Sequence, residues 1–504
     1  MKAWCALSIE LRAKGGAGSM SVRETVQVGD GDPGRGPGEA GADGGAQDAG
    51  DAGYAKTLKA RHIGMIAIGG AIGTGLFLGV GGALQKAGPG LAFSYAVAGA
   101  FAFLVVRALG EMVVYRPSSG SFVSYAREFL GERGAFIAGW MYVLNWSTTG
   151  MADITAAALY VHYWSAFGSV PQWLLAFLAL AVVLTVNLIS VRMFGETEFW
   201  FAIIKVAAIS AFLVVGVGLL ITGHQVGGTT PGWQVISDNG GVFPRGIVAC
   251  ISILQSVVFA YAAVELVGIT AGETAEPRRI VPRAVNSVMW RIAVFYVGSV
   301  VLLTMLLPWN SYSADQSPFV TVFSKLGVPA AGGVMNMVVL TAALSSLNSG
   351  LYSTGRILRS MAVAGSAPRF TSLMSRHHVP YGGILLTAGA AMLGVGLNAW
   401  LPGEAFEIVT NIAALGIICT WGTIMVCHLS FVRRARRGEL ERPEFRLWLS
   451  PVAELATLAF LLFAIVEMGL NGGSVGRWTV ALIVPIVLGL VVGWRARGSG
   501  AAER

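Results

Sequence analysis

From His62 onward the chain alternates long apolar runs with short polar stretches that gather most of its arginines and acids. A bilayer-crossing helix needs about 20 predominantly apolar residues. The pattern predicts twelve such segments, at roughly 63–84, 91–112, 134–161, 172–190, 199–222, 247–271, 290–308, 331–353, 382–401, 405–428, 451–470 and 476–494. An even number places both termini on one side. With the N-terminus in the cytoplasm, twenty-two Lys and Arg residues fall in the even-numbered loops and the C-terminal tail. Only Lys86, Arg245, Lys325 and Arg477 fall in the odd-numbered loops. Basic residues accumulate on the cytoplasmic side of membrane proteins, so the asymmetry predicts cytoplasmic N- and C-termini in a cytoplasmic membrane.

The segment before the first run reads differently. Residues 1–55 are rich in Gly, Ala and Asp (GDGDPGRGPGEAGADGGAQDAGDAG) and hold too little apolar surface to offset the entropy of ordering. A disordered cytoplasmic tail is expected there, followed by a membrane domain over 56–495 and a short cytoplasmic tail over 496–504. The opening MKAWCALSIELRAK is a poor secretory signal, because Glu10 and Arg12 interrupt its apolar run and no A-x-A cleavage site follows. Met20 is an alternative start.

Composition narrows the function classes. Of 504 residues 55% are hydrophobic and 12% charged, against about 25% charged in a soluble domain. A soluble enzyme is thereby excluded. The net charge of +8 follows from the loop arginines and does not imply a nucleic-acid partner. Cys5, Cys250, Cys419 and Cys427 form no CxxC pair and accompany no His cluster, so neither a disulfide framework nor a metal or other cofactor is expected.

Candidate chemistry lies where the apolar runs are interrupted. The first, IGMIAIGGAIGTGLFLGV, holds Gly69, Gly70, Gly73 and Gly75, and each glycine costs a helix about 1 kcal/mol against Ala. These predict a break at mid-membrane, with an outer half-helix starting near Thr74, Gly75 and Leu76. The N–H groups and positive dipole of that start suit a carboxylate, and a side chain at Gly73 or Gly75 would fill the space where backbone meets it. Close helix packing through small residues is the plainer alternative. A dinucleotide fingerprint is excluded, since no strand precedes the glycines. In the sixth run, Glu265 stands in the inner half, where a charge must face a cavity or partner. Phe259 to Glu265 is therefore a second candidate unwound segment, its carbonyls suited to an ammonium group. Broken first and sixth helices imply a five-plus-five repeat.

Further polar residues sit at membrane depth. Asp153 lies near the middle of the third run, two turns after Asn145. Lys205 lies about 9 Å into the fifth by helical rise, a depth from which its stem can also snorkel to the interface. Ser345, Ser346, Asn348 and Ser349 cluster in the eighth run, where hydroxyls either bond back to the preceding turn or line a polar path. Glu111 and Glu273 end the second and sixth runs, placed to close an intracellular gate or to pair with loop arginines.

At these residues the sequence resembles the amino acid permease family of the amino acid–polyamine–organocation superfamily. The runs that carry the resemblance are RHIGMIAIGGAIGTGLF, RALGEMVVYRPSSGSFVSYARE, GETEFWFAIIKV, VVFAYAAVELVGITAGETAEPRRIVPRAVNSVMWRI and ALSSLNSGLYSTGRILRSMA. They keep one order along residues 55 to 495. The resemblance implies an all-α membrane protein of the leucine-transporter type, with spans 1–5 and 6–10 as inverted repeats and two peripheral helices. It implies that a substrate amino acid is held at Ala71, Gly73, Thr74 and Gly75 and at Phe259, Ala260, Ala262 and Glu265. Asn145, Ser345, Ser346 and Asn348 are expected to read its side chain. Lys205 falls in the motif where proton-coupled relatives carry a lysine in place of a sodium ion. Asp153 stands where many relatives carry Glu, and a coupling role is assigned to it with Lys205. The stretches FYVGSVVLLTMLLPWNSYSADQSPFVTVFSKLGVP and SMAVAGSAP are most similar to bacterial members that carry L-asparagine.

The expected function is thus import of L-asparagine with a proton. Another neutral, aromatic or cationic amino acid is the nearest alternative. An amino-acid sensor would append a signalling domain, and the longest cytoplasmic loop, about 429–450, is too short for one. An intramembrane enzyme would need a nucleophile–base set or an HExxH motif, whereas His377 and His378 are paired in a loop. An ATP-driven pump lacks its GxxxxGK[ST] loop.

Overall fold

The computed structural model describes residues 72–117, 121–266 and 276–502. Among them all regular structure is helical, apart from one isolated bridge between Val226 and Thr229. Helix α1 begins after a bend at Ile72 and Gly73, with Thr74 its first helical residue. A π-wound turn, Gly75–Gly79, continues as Val80–Ala87. Gly88, at φ 68°, ends α1 and turns the chain into α2, Leu91–Tyr115. Helix α3, Ser121–His162, is interrupted at Gly131 (φ 75°). Helix α4 is Gln172–Ile189 and α5 Val191–Thr222. Ser190 caps α5 by accepting from the Met193 N–H at 3.1 Å.

The next apolar run is not one helix. It folds as α6, Gly246–Ile251, and α7, Leu254–Ala260, and then as a non-helical turn from Tyr261 to Glu265. Ala263 adopts φ 68° there, a left-handed conformation uncommon for a residue with a side chain. Helix α8 runs through Pro277–Arg291, a π-wound Ile292–Gly298 and Ser299–Leu306. Then follow α9, Pro318–Ser324, α10, Ala331–Val363, and α11, Tyr381–Trp400. The chain continues as α12, Ala405–Arg436, α13, Val452–Asn471, α14, Gly473–Ala481, and α15, Ile483–Ala502.

Nine helical stretches among the described residues are long and apolar enough to cross a membrane, against twelve apolar runs in the sequence. The differences have local causes. Helices α1 and α2 form one apolar stretch, Gly75–Tyr115, interrupted by the Gly88–Gly90 turn. Helix α3 carries Asn145, Ser147, Thr148, Thr149 and Asp153, all buried, which dilute its apolar character. The run at 247–271 is divided between α6, α7 and the turn.

Helices α2, α3, α10 and α12 supply most of the buried centre, while α4, α5 and α11 turn apolar side chains outward. Ile221 is 81% and Val214 73% exposed, a surface suited to hydrocarbon rather than water. Two glycines permit close approaches at the centre. A methyl group on Gly350 of α10 would lie 2.4 Å from the Trp146 indole of α3. One on Gly75 would lie 2.5 Å from Ala260 Cα and 3.1 Å from the Phe259 ring. The space beside Gly75, expected from the sequence to receive a ligand, is occupied by the backbone at the end of α7. Gly73 differs, because the nearest atom to a methyl there is Ser346 Oγ at 3.6 Å.

Overpacking costs about 1–3 kcal/mol, more where backbone must shift. Gly75→Ala is therefore expected to lower the thermal midpoint of the detergent-purified protein by several degrees, while Gly73→Ala leaves it nearly unchanged. A size-exclusion thermal ramp on the two variants checks this, and equal behaviour would show that the contact is not constraining.

Candidate functional site

A helix start and a helix end meet at the centre. At the start of α1 the Phe77 N–H reaches back to the Gly73 carbonyl at 3.3 Å. Opposite this start, α7 ends in tightened turns: Tyr261 N–H donates to Val258 and Ala262 N–H to Phe259, each at 3.0 Å. Phe259 and Ala260 are still helical, so the unwound segment begins at Tyr261 and not at Phe259. The Phe259 carbonyl is thus already engaged, and its ring packs edge-on against Phe406 at 6.5 Å. Ala262 is half-buried in the turn. Ala71 and Glu273 lie outside the described residues.

A chain of buried polar groups runs from this junction across the bundle. Thr74 Oγ1 donates to Asp153 Oδ1 at 2.8 Å, and Ser346 lies beside the same carboxylate. Asp153 Oδ2 has no hydrogen-bond partner among the described residues. On α5, Lys205 donates to Ser345 Oγ at 2.8 Å, and Ser345 in turn donates to Glu198 Oε1 at 2.7 Å. Lys205 and Glu198 stand 3.9 Å apart with both side chains wholly inaccessible. Asn348 donates to Glu198 Oε2 at 3.5 Å and accepts from Asn187 at 2.7 Å. Lys205 therefore does not snorkel: its stem turns inward to α10. Ser345 and Asn348 face this ion pair, not the junction. Asn145 accepts from Thr149 at 3.3 Å, and its backbone lies against Gly416 of α12. Ser349 Oγ is buried without a partner among the described residues.

Glu198 was not singled out in the sequence. It lies seven residues before Lys205, two helical turns on one face, and directly before the fifth apolar run, where an acid marks a buried partner. Spacing alone carried that signal.

Glu265, only 1% exposed, presents both carboxylate oxygens without a hydrogen-bond partner among the described residues. Trp421 of α12 is the side-chain donor directed at it, and Tyr142 of α3 shares its surroundings. The Trp421 Nε1, Tyr142 Oη and Trp146 Nε1 atoms are likewise buried and unpartnered among the described residues. The Tyr142 and Trp146 rings meet edge to face at 6.2 Å. A buried unsatisfied polar group costs about 1–3 kcal/mol. Several of them converging on one carboxylate mark a place that a polar ligand completes.

A separate charge cluster closes the far end of α2. Glu111 accepts from Arg442 Nε at 2.7 Å and from the Leu447 N–H at 2.6 Å. It also faces His428 Nε2 at 2.9 Å, while His428 Nδ1 lies 2.8 Å from Glu454 Oε1, which Ser450 also approaches. Carboxylates accept but do not donate, so both contacts are hydrogen bonds when the ring carries two protons. The cluster ties α2, α12 and α13 to the 437–451 connection. His428 and Glu454 gave no sequence signal, since Glu111 is 317 residues from His428.

Removing one member of a buried ion pair leaves the other uncompensated, at about 3–5 kcal/mol. Lys205→Met alone is expected to lower thermal stability strongly, and adding Glu198→Gln to restore most of it. Thermal midpoints of the single and double variants give the coupling, and additive effects would sink the pairing.

Comparison with known proteins agrees with this architecture. The family model described as "Amino acid permease" matches residues 62–496. The L-asparagine permease of Streptomyces coelicolor is 69% identical over 447 residues, covering 89% of this chain and 91% of that protein. L-asparagine permease 2 of Mycobacterium tuberculosis is 59% identical over 444 residues, 88% of this chain and 91% of its own. The L-asparagine permease of Escherichia coli is 57% identical over 442 residues, 88% of each. With a family match across most of its length and relatives far above chance similarity, this multi-helical membrane chain belongs to the amino acid permease family of transporters.

Proposed function

We propose that this protein imports L-asparagine together with a proton across the cytoplasmic membrane of a bacterium. On this reading it has twelve spans with both termini inside, the first ten forming a five-plus-five inverted repeat and α13 to α15 the periphery. The observation that carries the proposal is the apposition of the α1 start with the α7 end at Gly75 and Ala260, together with a buried acid, Glu265, that has no hydrogen-bond partner among the described residues. Relatives named L-asparagine permease support the choice of substrate.

The zwitterion is divided between the two interruptions. Its carboxylate meets the N–H groups of Thr74, Gly75 and Leu76, where the helix dipole is positive. Its ammonium meets the carbonyls of the turn beyond Ala260. The carboxamide reaches Glu265, whose oxygens accept its N–H groups while Trp421 or Tyr142 donates to its carbonyl. Aspartate would bring a second carboxylate to the same place. A cationic side chain would be welcome there, and this makes a basic amino acid the physical rival.

Proton coupling is assigned to Asp153 and Lys205. Asp153 touches the α1 start through Thr74, and Lys205 holds α5 to α10 through Ser345. A change of protonation at either would loosen a contact between helices that alternate access requires to separate. Glu111, held by Arg442 and His428, acts as the inner gate, with Glu273 as its expected companion.

Uptake by proteoliposomes, with and without an inward proton gradient, tests the reading. Asparagine is expected to accumulate only with the gradient. The Lys205→Met, Glu198→Gln double variant is expected to equilibrate asparagine without concentrating it, and retained uphill uptake would remove Lys205 from coupling. Glu265→Gln is expected to weaken asparagine uptake about tenfold or more, the loss of one charged hydrogen bond, and to raise competition by aspartate. If lysine or arginine displaced labelled asparagine better than asparagine does, the substrate assignment would fall and the family would stand.

A further inference from the structure

A large opening away from the junction lies beneath the last helix. Helix α15 is the most weakly packed of the membrane-length helices, with Val484, Leu488 and Val492 each about three-fifths exposed. It packs at its two ends, Ile483 against the cluster of Ala414, Leu415 and Met468, and Gly493 and Trp494 against Phe136. A methyl on Gly493 would lie 3.2 Å from the Phe136 ring, and Trp494 meets the same ring edge-on at 5.7 Å. Between α15 and helices α3, α12 and α13 opens a cleft of about 770 Å³. Its walls are apolar, formed by Phe136, Met141, Leu415, Ile418, Ile465 and Ile486.

Charge enters at one mouth alone. Arg133 and Arg495 line it, and the Arg133 guanidinium lies 5.7 Å from the Trp494 ring. Neither arginine has an acidic partner among the described residues, although the next turn shows how readily one is found. There Arg497 pairs with Glu132 at 3.1 Å and donates to the Ala364 carbonyl at 2.9 Å. From Ile483 to Arg495 is twelve helical steps, about 18 Å, close to the hydrocarbon depth of a single leaflet, about 15 Å. An apolar slot one leaflet deep, ending in two unpaired arginines and an interfacial tryptophan, has the chemistry of a lipid with a negative headgroup.

We propose that this cleft holds one anionic phospholipid, an acyl chain lying between α15 and α12 and the phosphate between Arg133 and Arg495. Arginine pairs bind phosphate through two parallel N–H bonds, so a net-negative headgroup is preferred to a zwitterionic one. The lipid fills the gap between the two ends at which α15 packs, and its occupancy does not depend on which amino acid is carried.

Native mass spectrometry of the purified full-length chain, titrated with phosphatidylglycerol, phosphatidylcholine or glycerol 3-phosphate, tests this. One phosphatidylglycerol is expected to bind and to raise the thermal midpoint. Phosphatidylcholine is expected to bind about thirtyfold more weakly, the ratio two arginine contacts supply, and glycerol 3-phosphate not at all. The Arg133→Gln, Arg495→Gln double variant keeps its fold, checked by its elution profile, and loses the preference. Ile486→Trp fills the cleft and loses the lipid itself while keeping both arginines. Equal binding of the two lipids, a preference that survives the double variant, or a cross-linked dimer through α15 would each overturn the proposal.

Discussion

The backbone contact between Gly75 and Ala260 is the constraint on which the centre of this protein depends. The start of α1 and the end of α7 come together because one glycine has no side chain to hold them apart. In hydrocarbon non-helical backbone is tolerated only where protein surrounds it or a polar cavity opens. Burial of the junction by α3, α10 and α12 and its readiness for a zwitterion are therefore one arrangement. Ala263, forced into a left-handed conformation just beyond α7, shows the turn held open by its surroundings rather than by its own preference.

The second constraint is that, among the described residues, the charges at this depth other than Glu265 are tied to polar partners. Glu198 and Lys205 pair through Ser345, and Asp153 takes a hydrogen bond from Thr74. Glu111, His428 and Glu454 form one linked set. Each set joins helices far apart in sequence, so a change in protonation acts on helix packing and not on one side chain alone. Glu265 differs, since its oxygens lack protein partners among the described residues, and this separates a group awaiting a ligand from groups already spent on structure.

The periphery obeys a weaker rule. Helices α4, α5 and α11 turn apolar residues outward in broad faces, as a hydrocarbon solvent permits. Helix α15 is held at Ile483 and at Gly493 and Trp494, with a cleft opening between these ends. Packing that loose is sustainable only where another apolar substance fills the space, because an empty cleft forfeits the dispersion contacts of its walls.

Much of this was legible in the sequence, and for reasons that are local. Apolar run length announces helices in a membrane, because a span must satisfy its own backbone. The acid at Glu265 announced the break that the turn from Tyr261 to Glu265 makes, because a charge is costly in a continuous apolar helix, and the glycines near Gly73 marked where α1 starts among the described residues. What the tertiary structure decided is which polar groups meet. That Ser345 and Asn348 face Glu198 while Ser346 lies by Asp153 depends on the rotation of α10 about its axis, to which the residue pattern is indifferent. That the space beside Gly75 is taken by Ala260 is a matter of a few ångströms between segments 185 residues apart. His428 finds its two carboxylates 317 and 26 residues away, and Trp421 finds Glu265 across the bundle. A one-dimensional pattern records the cost of burying a group, and only the packed helices determine what relieves it.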